Sequence, residues 1–142
     1  MGHFGVARDL RTVLNYNGSN LELWLPDIKE FKKDNDDFKI SVDIEDSELC
    51  PRYSGVSISS ITVADSPEWL QNKLRTIGLV PINNIVDITN YVMLETGQPL
   101  HAYDLNKIDS KIKVRRGYNN EKITLLDETV KKVNQNYLSN FS

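Results

Sequence analysis

The stretch PINNIVDITNYVMLETGQPLHAYDL, from Pro81 to Leu105, decides how this chain folds. An asparagine, Asn83 or Asn84, stands where the first free amides of a helix need an acceptor. The predicted helix runs from Ile85 to Thr96, with Ile85, Ile88 and Val92 turned inward. Gly97 ends it, because the residue just past a helix often takes a left-handed conformation that suits glycine. Gln98-Pro99 then turns the chain and leaves His101 in a loop.

Working upstream, Ser66-Pro67-Glu68 reads as a second helix start: serine as cap, proline where no amide bond is lost, glutamate at the positive dipole end. That helix is expected to pass through Leu70 and Leu74 to Ile77 and to stop at Gly78. Tyr53 to Val63 reads as a strand, with a change of phase at Ser59-Ser60 that points to a bulge. Phe38, Ile40, Val42 and Ile44 alternate with polar residues and predict a half-buried strand. Lys29 to Asp37, charged and nearly without apolar residues, is the expected linker. Leu21 to Leu25 alternates weakly and is closed by Pro26. Val6, Leu10, Val13 and Leu14 form the stripe of a short amphipathic helix that ends at Asn17-Gly18.

Downstream, Ile112 and Val114, then Ile123 and Leu125, predict two strands joined through Gly117 to Asn120. Val130 and Val133 continue the sheet after a turn at Asp127-Glu128. Strands grouped at both ends of two central helices give an α+β fold with an antiparallel or mixed sheet, not a doubly wound one.

A chain of 142 residues with 26% charged and 39% hydrophobic side chains can bury a core of its own. No apolar run approaches the roughly 20 residues that cross a bilayer, and no signal-peptide pattern opens the chain. Cys50 is the single cysteine, which excludes an internal disulfide and a cysteine-based zinc site. The reading is a reduced, cytoplasmic protein. Neither a nucleotide-binding glycine loop, nor HExxH, nor a Ser/His/Asp order is present, so the residues make no case for metal hydrolysis, ATP binding or covalent catalysis. The aromatics are too scattered for a base-stacking platform, and Trp24 and Trp69 read as core or interface anchors.

A net charge of −3 argues against a general nucleic-acid binder. The charge is unevenly spread, however. Residues 27–48 hold nine acidic against four basic side chains, whereas residues 111–132 hold seven basic against three acidic. The basic part (Lys111, Lys113, Arg115, Arg116, Lys122, Lys131, Lys132) reads either as a solvated strand face or as a surface for a phosphate backbone.

His3 lies in the first five residues, where a mobile or capping role fits better than catalysis. His101 is the one internal side chain that titrates near neutral pH. A lone histidine in a loop is more often structural, and a threonine in mid-helix, such as Thr89, often bonds back to the carbonyl four residues earlier. If helix and loop fold back together, Thr89, Asn90 and His101 line one pocket. Cys50-Pro51-Arg52-Tyr53 reads as the start of a strand, where proline is tolerated.

Taken together, the Pro81–Leu105 string, CPRYSG at Cys50 to Gly55 and MGHFGVARDL at Met1 to Leu10 closely resemble the β subunit of bacterial phenylalanyl-tRNA synthetase. The resemblance covers Met1 to about Leu126: residues 1–37 as a helix and charged linker upstream, residues 38–142 as the N-terminal part of the tRNA-editing module. It implies an incomplete editing-module fold cut from a longer subunit. The implied activity is hydrolysis of tyrosine wrongly attached to phenylalanine tRNA, within an assembly of two α and two β subunits.

By motif, Thr89 and Asn90 match the editing-site pair of the VDxTNY string, and His101 matches the histidine of the QPLHAFD-like string. The resemblance makes these three the catalytic set, positioning the 3′-terminal adenosine and the attacking water. Gln98, Pro99 and Tyr103 are expected to line the substrate pocket, with Tyr103 where the family more often has phenylalanine. Lys113, Arg115 and Arg116 are expected to meet the tRNA. ATP and magnesium belong to the parent ligase, with no metal or cofactor held by this part.

Val80 stands where the family commonly has arginine, and the glutamate that accepts the tyrosine hydroxyl would follow Ser142. The isolated piece is therefore expected to hydrolyse tyrosyl-tRNA weakly or not at all. Two rivals stay open: a free-standing module that edits in trans or docks RNA, and an editing-inactive scaffold between subunits.

Overall fold

The computed structural model describes residues 2–108, 111–125 and 129–141. Its architecture is α+β, in the order α1 (His3–Tyr16), β1 (Ser41–Ile44), α2 (Glu68–Thr76), α3 (Asn84–Thr96), a 3-10 turn (Leu105–Lys107), β2 (Lys111–Arg116), β3 (Glu121–Thr124), β4 (Val130–Val133) and β5 (Leu138–Phe141). The chain divides into two compact units: Met1–Asp34 with Ser60–Ala102, and Asn35–Ser59 with Tyr103–Ser142.

The first unit is helical, and α1 and α2 both pack against α3. Leu70 and Leu74, one turn apart on α2, are 2% and 1% exposed and form its apolar centre. The start of α1 reaches the end of α3. A Cβ on Gly2 would sit 2.6 Å from the carbonyl carbon of Thr96 and 2.8 Å from Glu95 O, so only glycine permits this approach. His3 Nδ1 then donates to Leu94 O across 2.8 Å. This supplies a donor to one of the last carbonyls of α3, which have no partner within their own helix. The histidine at the chain start is therefore a helix cap.

All three helices end at a left-handed glycine: Gly18, Gly78 and Gly97. After α2 the two amides beyond the cap return to the last turn, Gly78 N to Arg75 O and Leu79 N to Leu74 O, each at 3.0 Å. Such a paired return satisfies carbonyls that would otherwise lack a partner.

In the second unit, β1 and β2 run parallel, with Val42 opposite Ile112 and Ile44 opposite Val114. β5 pairs antiparallel with the other edge of β2, giving the order β1-β2-β5. β3 and β4 form a separate antiparallel ribbon, with Lys122 opposite Lys132 and Ile123 opposite Lys131. Ile112 and Val114 on β2 and Val133 on β4 are buried. The strands expected around Ile112 and Ile123 both exist, but they belong to different sheets. The turn expected at Asp127-Glu128 lies outside the described residues.

Five local expectations need correction. Tyr53 to Val63 forms no strand: Ser60 takes a left-handed φ of 58° where the phase change was read, and Val56, Ile58 and Val63 are exposed. Alternation sets which side chains share a face, but it supplies no hydrogen-bonding neighbour. Leu21 to Leu25 is likewise without regular structure, and the strand expected from Phe38 begins only at Ser41. Ser66 does not cap α2; its hydroxyl is given to Asp87 instead. Finally, Ile88 is 51% exposed, and the inward residue of that turn is the neighbouring Asp87.

Candidate functional site

The helix that carries Thr89 and Asn90 is fixed at its start by three polar side chains with separate tasks. Asn83 is the cap: its Oδ1 accepts from Ile85 N and Val86 N, each at 3.0 Å. Asn84 holds the extended segment before α2. Its Nδ2 donates to Thr62 O at 3.0 Å, its Oδ1 accepts from Ala64 N at 3.3 Å, and its backbone amide donates to Ala64 O at 2.9 Å. Thr62 and Ala64 thus find hydrogen bonds at a side chain in place of a strand.

Asp87 does the third task from within the core, where it is 1% exposed. Its Oδ2 accepts the Ser66 hydroxyl at 2.5 Å and its Oδ1 accepts Ile82 N at 2.9 Å. Gln71 Nε2 completes the knot by donating to Ser66 O at 2.7 Å. A carboxylate in the first turn of a helix also meets the positive end of the helix dipole. This one residue ties the segment before α2, the turn before α3 and α3 itself to one another.

Thr89 and Asn90 follow side by side, both half-buried. The Thr89 hydroxyl donates to Val86 O at 2.8 Å, so its hydrogen is committed and its oxygen can serve only as an acceptor to a further partner. Further along α3, Tyr91 donates its hydroxyl to Glu95 Oε1 at 3.0 Å, stands edge-on to Trp69 with ring centres 5.8 Å apart, and lies under the Lys73 ammonium. The Glu95 carboxylate, followed by burial, holds the Tyr91 phenol above its usual range. Beyond Gly97, the Gln98 amide donates to Thr96 Oγ1 at 3.1 Å and starts the turn. Gln98, Pro99 and His101 are exposed on that loop, and Val80 is exposed ahead of α3.

Tyr103 belongs to the second unit, where it is hydrogen-bonded to the Tyr53 hydroxyl. Burial first, and this bond second, push the Tyr53 phenol up to about 12, with Cys50 close by. The hydroxyl that distinguishes Tyr103 from phenylalanine therefore has a partner inside the CPRYSG segment.

The basic residues expected to meet tRNA each carry a carboxylate from the same unit. Lys113 Nζ lies 2.5 Å from Glu45 Oε1, and Arg116 Nε lies 2.6 Å from Asp46 Oδ2. Lys111 adds a third pair, 3.2 Å from Asp43. Arg115 is largely buried and grips Glu121 with both nitrogens, at 2.9 and 2.7 Å, while lying 4.1 Å over the Tyr118 ring. That grip and the Tyr118 amide hold the Glu121 carboxyl down at about 2. Likewise Arg116 keeps Asp46 below the usual carboxylate range, and Glu45 raises the Lys113 ammonium. The acidic and basic halves of the sequence thus offset each other across the β1–β2 ladder.

Asp87 is the polar residue that sequence reasoning passed over, while Asn84 is expected there only as an alternative cap and Tyr53 only at the start of a strand. Asp87 was signalled by an acid on the inward side of an otherwise apolar helical turn. Among the described residues no three His, Cys, Asp or Glu side chains stand together as a metal site, and no helix is long and apolar enough to cross a membrane.

Comparison with known proteins matches the sequence to a family. Residues 49–139 match the B3/4 domain. The chain is 57% identical over 106 residues to a phenylalanine–tRNA ligase beta subunit of Bacteroides fragilis, covering 75% of this chain and 13% of that protein. It is 47% identical over 134 residues to the subunit of the same name from Bacteroides thetaiotaomicron, covering 94% and 16%. With that of Carboxydothermus hydrogenoformans it shares 48% over 124 residues, covering 87% and 15%. The chain therefore spans 13–16% of the length of these relatives. With the domain match reaching over more than half of its residues, this chain belongs to the B3/4 domain family.

Proposed function

We propose that the chain works as part of a phenylalanine–tRNA ligase beta subunit, with its B3/4 domain binding charged tRNA and removing tyrosine wrongly joined to phenylalanine tRNA. The observation that carries this reading is 57% identity over 106 residues to a subunit of that ligase. The capped helix α3, with Thr89 and Asn90 adjacent on it, supports the same reading. The chemical need is specific. A pocket built for phenylalanine rejects an isostere with one added hydroxyl poorly, so a second, hydrolytic site clears the error.

In the proposed reaction a water oxygen attacks the ester carbonyl, the acyl–oxygen bond breaks, and the ribose oxygen leaves with a proton. Free tyrosine and intact tRNA result. Thr89, with its hydrogen committed to Val86 O, serves as an acceptor toward the terminal adenosine. Asn90 offers both donor and acceptor. His101 orients the water, while Gln98 and Pro99 form the pocket wall. Catalysis of this kind works through positioning and fixed dipoles, with no protein nucleophile. ATP and magnesium serve the ligase's synthetic reaction, and no step here is routed through a metal held by this chain. The partners are phenylalanine tRNA and the α subunit, in the cytoplasm.

The test is tyrosine release from mischarged phenylalanine tRNA by the assembled ligase, with and without His101→Ala. Loss of release with aminoacylation intact is expected. Unchanged release would refute the assignment.

A further inference from the structure

We propose that the outward face of the β3–β4 ribbon, centred on Lys122 and Lys132, is a contact surface for the phosphate backbone of RNA. The choice of RNA as the polyanion rests on the reading above. The placement comes from the charge census of the second unit. Lys111, Lys113, Arg115 and Arg116 each have a carboxylate, at 3.2, 2.5, 2.7 and 2.6 Å. Among the described residues Lys122, Lys131 and Lys132 form no ion pair and no side-chain hydrogen bond. The positive charge of this stretch that is not offset therefore lies on the ribbon and not on β2.

The register makes the arrangement specific. Lys122 is directly opposite Lys132, and Thr124 is opposite Val130. Alternate residues of a strand face opposite ways. Val133 is buried and Ile123 half-buried, so the two lysines share the outward face, and both are exposed. Like charges directly opposed across an antiparallel pair are unfavourable. Among the described residues the fold keeps that repulsion and gives neither ammonium an acid. A phosphate seated between the two would turn the repulsion into a joint attraction. Asp127 and Glu128, in the connection between the strands, lie outside the described residues, and Glu121 is taken up by Arg115.

The experiment measures binding of the 142-residue chain to an uncharged phenylalanine tRNA transcript over a series of salt concentrations. Each phosphate contact contributes a slope of roughly 0.7–0.9 in log affinity against log salt. Lys122→Gln with Lys132→Gln should lower the slope by about one and a half on that scale. The same pair should leave the thermal midpoint unchanged or raise it, since a repulsion is removed. Lys113→Gln with Glu45→Gln, which deletes an offset pair, should leave the slope as it was. An unchanged slope in the Lys122/Lys132 variant, an equal loss in the Lys113/Glu45 variant, or no measurable RNA binding by the unaltered chain would overturn the proposal. The outcome is separable from the hydrolytic reading, because His101→Ala should abolish tyrosine release by the assembled ligase, whereas the salt slope of this chain is read without any hydrolysis.

Discussion

The Ser66 hydroxyl and the Asp87 carboxylate meet across 2.5 Å inside the first unit, where Asp87 also accepts the Ile82 amide. This contact joins residues 21 positions apart in sequence. It converts a serine that would ordinarily cap a helix into a donor that locates the neighbouring one. The helix bearing Thr89 and Asn90 is positioned by it.

Replacing Asp87 with alanine leaves the buried Ser66 hydroxyl and the part-buried Ile82 amide without their acceptor. An unsatisfied buried group costs about 1–3 kcal/mol and a part-buried one less, so a loss of roughly 1–3 kcal/mol is expected. Asp87→Asn, which keeps an acceptor for the Ile82 amide, should lose less. Urea denaturation of the chain measures both, and equal effects from the two substitutions would contradict this account.

The Arg115–Glu121 pair makes the second unit sensitive to acid. The Glu121 carboxyl is held at about 2, below its ordinary 4.5. Its stabilising contribution is therefore complete above about 4.5 and is lost as pH falls toward 2. Glu121→Gln should remove that part of the pH dependence. Carboxyl resonances followed by NMR give the titration directly; an unshifted Glu121 would show the pair to be open in solution.

For Tyr53, burial is the larger cause of a phenol raised to about 12, and the bond to Tyr103 is the next. Tyr103→Phe should bring the Tyr53 titration down only part of the way toward its ordinary 10, since burial remains. Phenolate absorbance against pH, with a Tyr53→Phe control to identify the signal, checks this. A midpoint unmoved by Tyr103→Phe would mean that the hydroxyl pair does not form.

The helices were legible because their signals are local. Asn83 lies within one turn of the amides it caps, and Gly18, Gly78 and Gly97 act within two residues of the ends they mark. Strand pairing was not legible. β1 finds β2 nearly seventy positions away, and no short-range pattern distinguishes that partner from others. For the same reason the acidic and basic stretches were readable as opposite charges but not as partners: Glu45 with Lys113 and Asp46 with Arg116 follow only from the parallel register. In the candidate site, the places of Thr89 and Asn90 on one helix and of His101 beyond its glycine stop were legible. Asp87 was missed because its acceptors' donors, Ser66 and Ile82, come from outside its own helix.

The most direct test of the central claim is whether Thr89, Asn90 and His101 respond to one ligand. The probe is a non-hydrolysable adenosine bearing tyrosine in amide linkage at its 3′ position, titrated into the isotopically labelled chain and followed by NMR. The account predicts saturable shifts of the Thr89 and Asn90 amides and the His101 ring with one common dissociation constant, while Lys122 and Lys132 stay unmoved. Saturable binding that leaves those three residues unchanged, or that moves His101 with a different constant from Thr89 and Asn90, would contradict it.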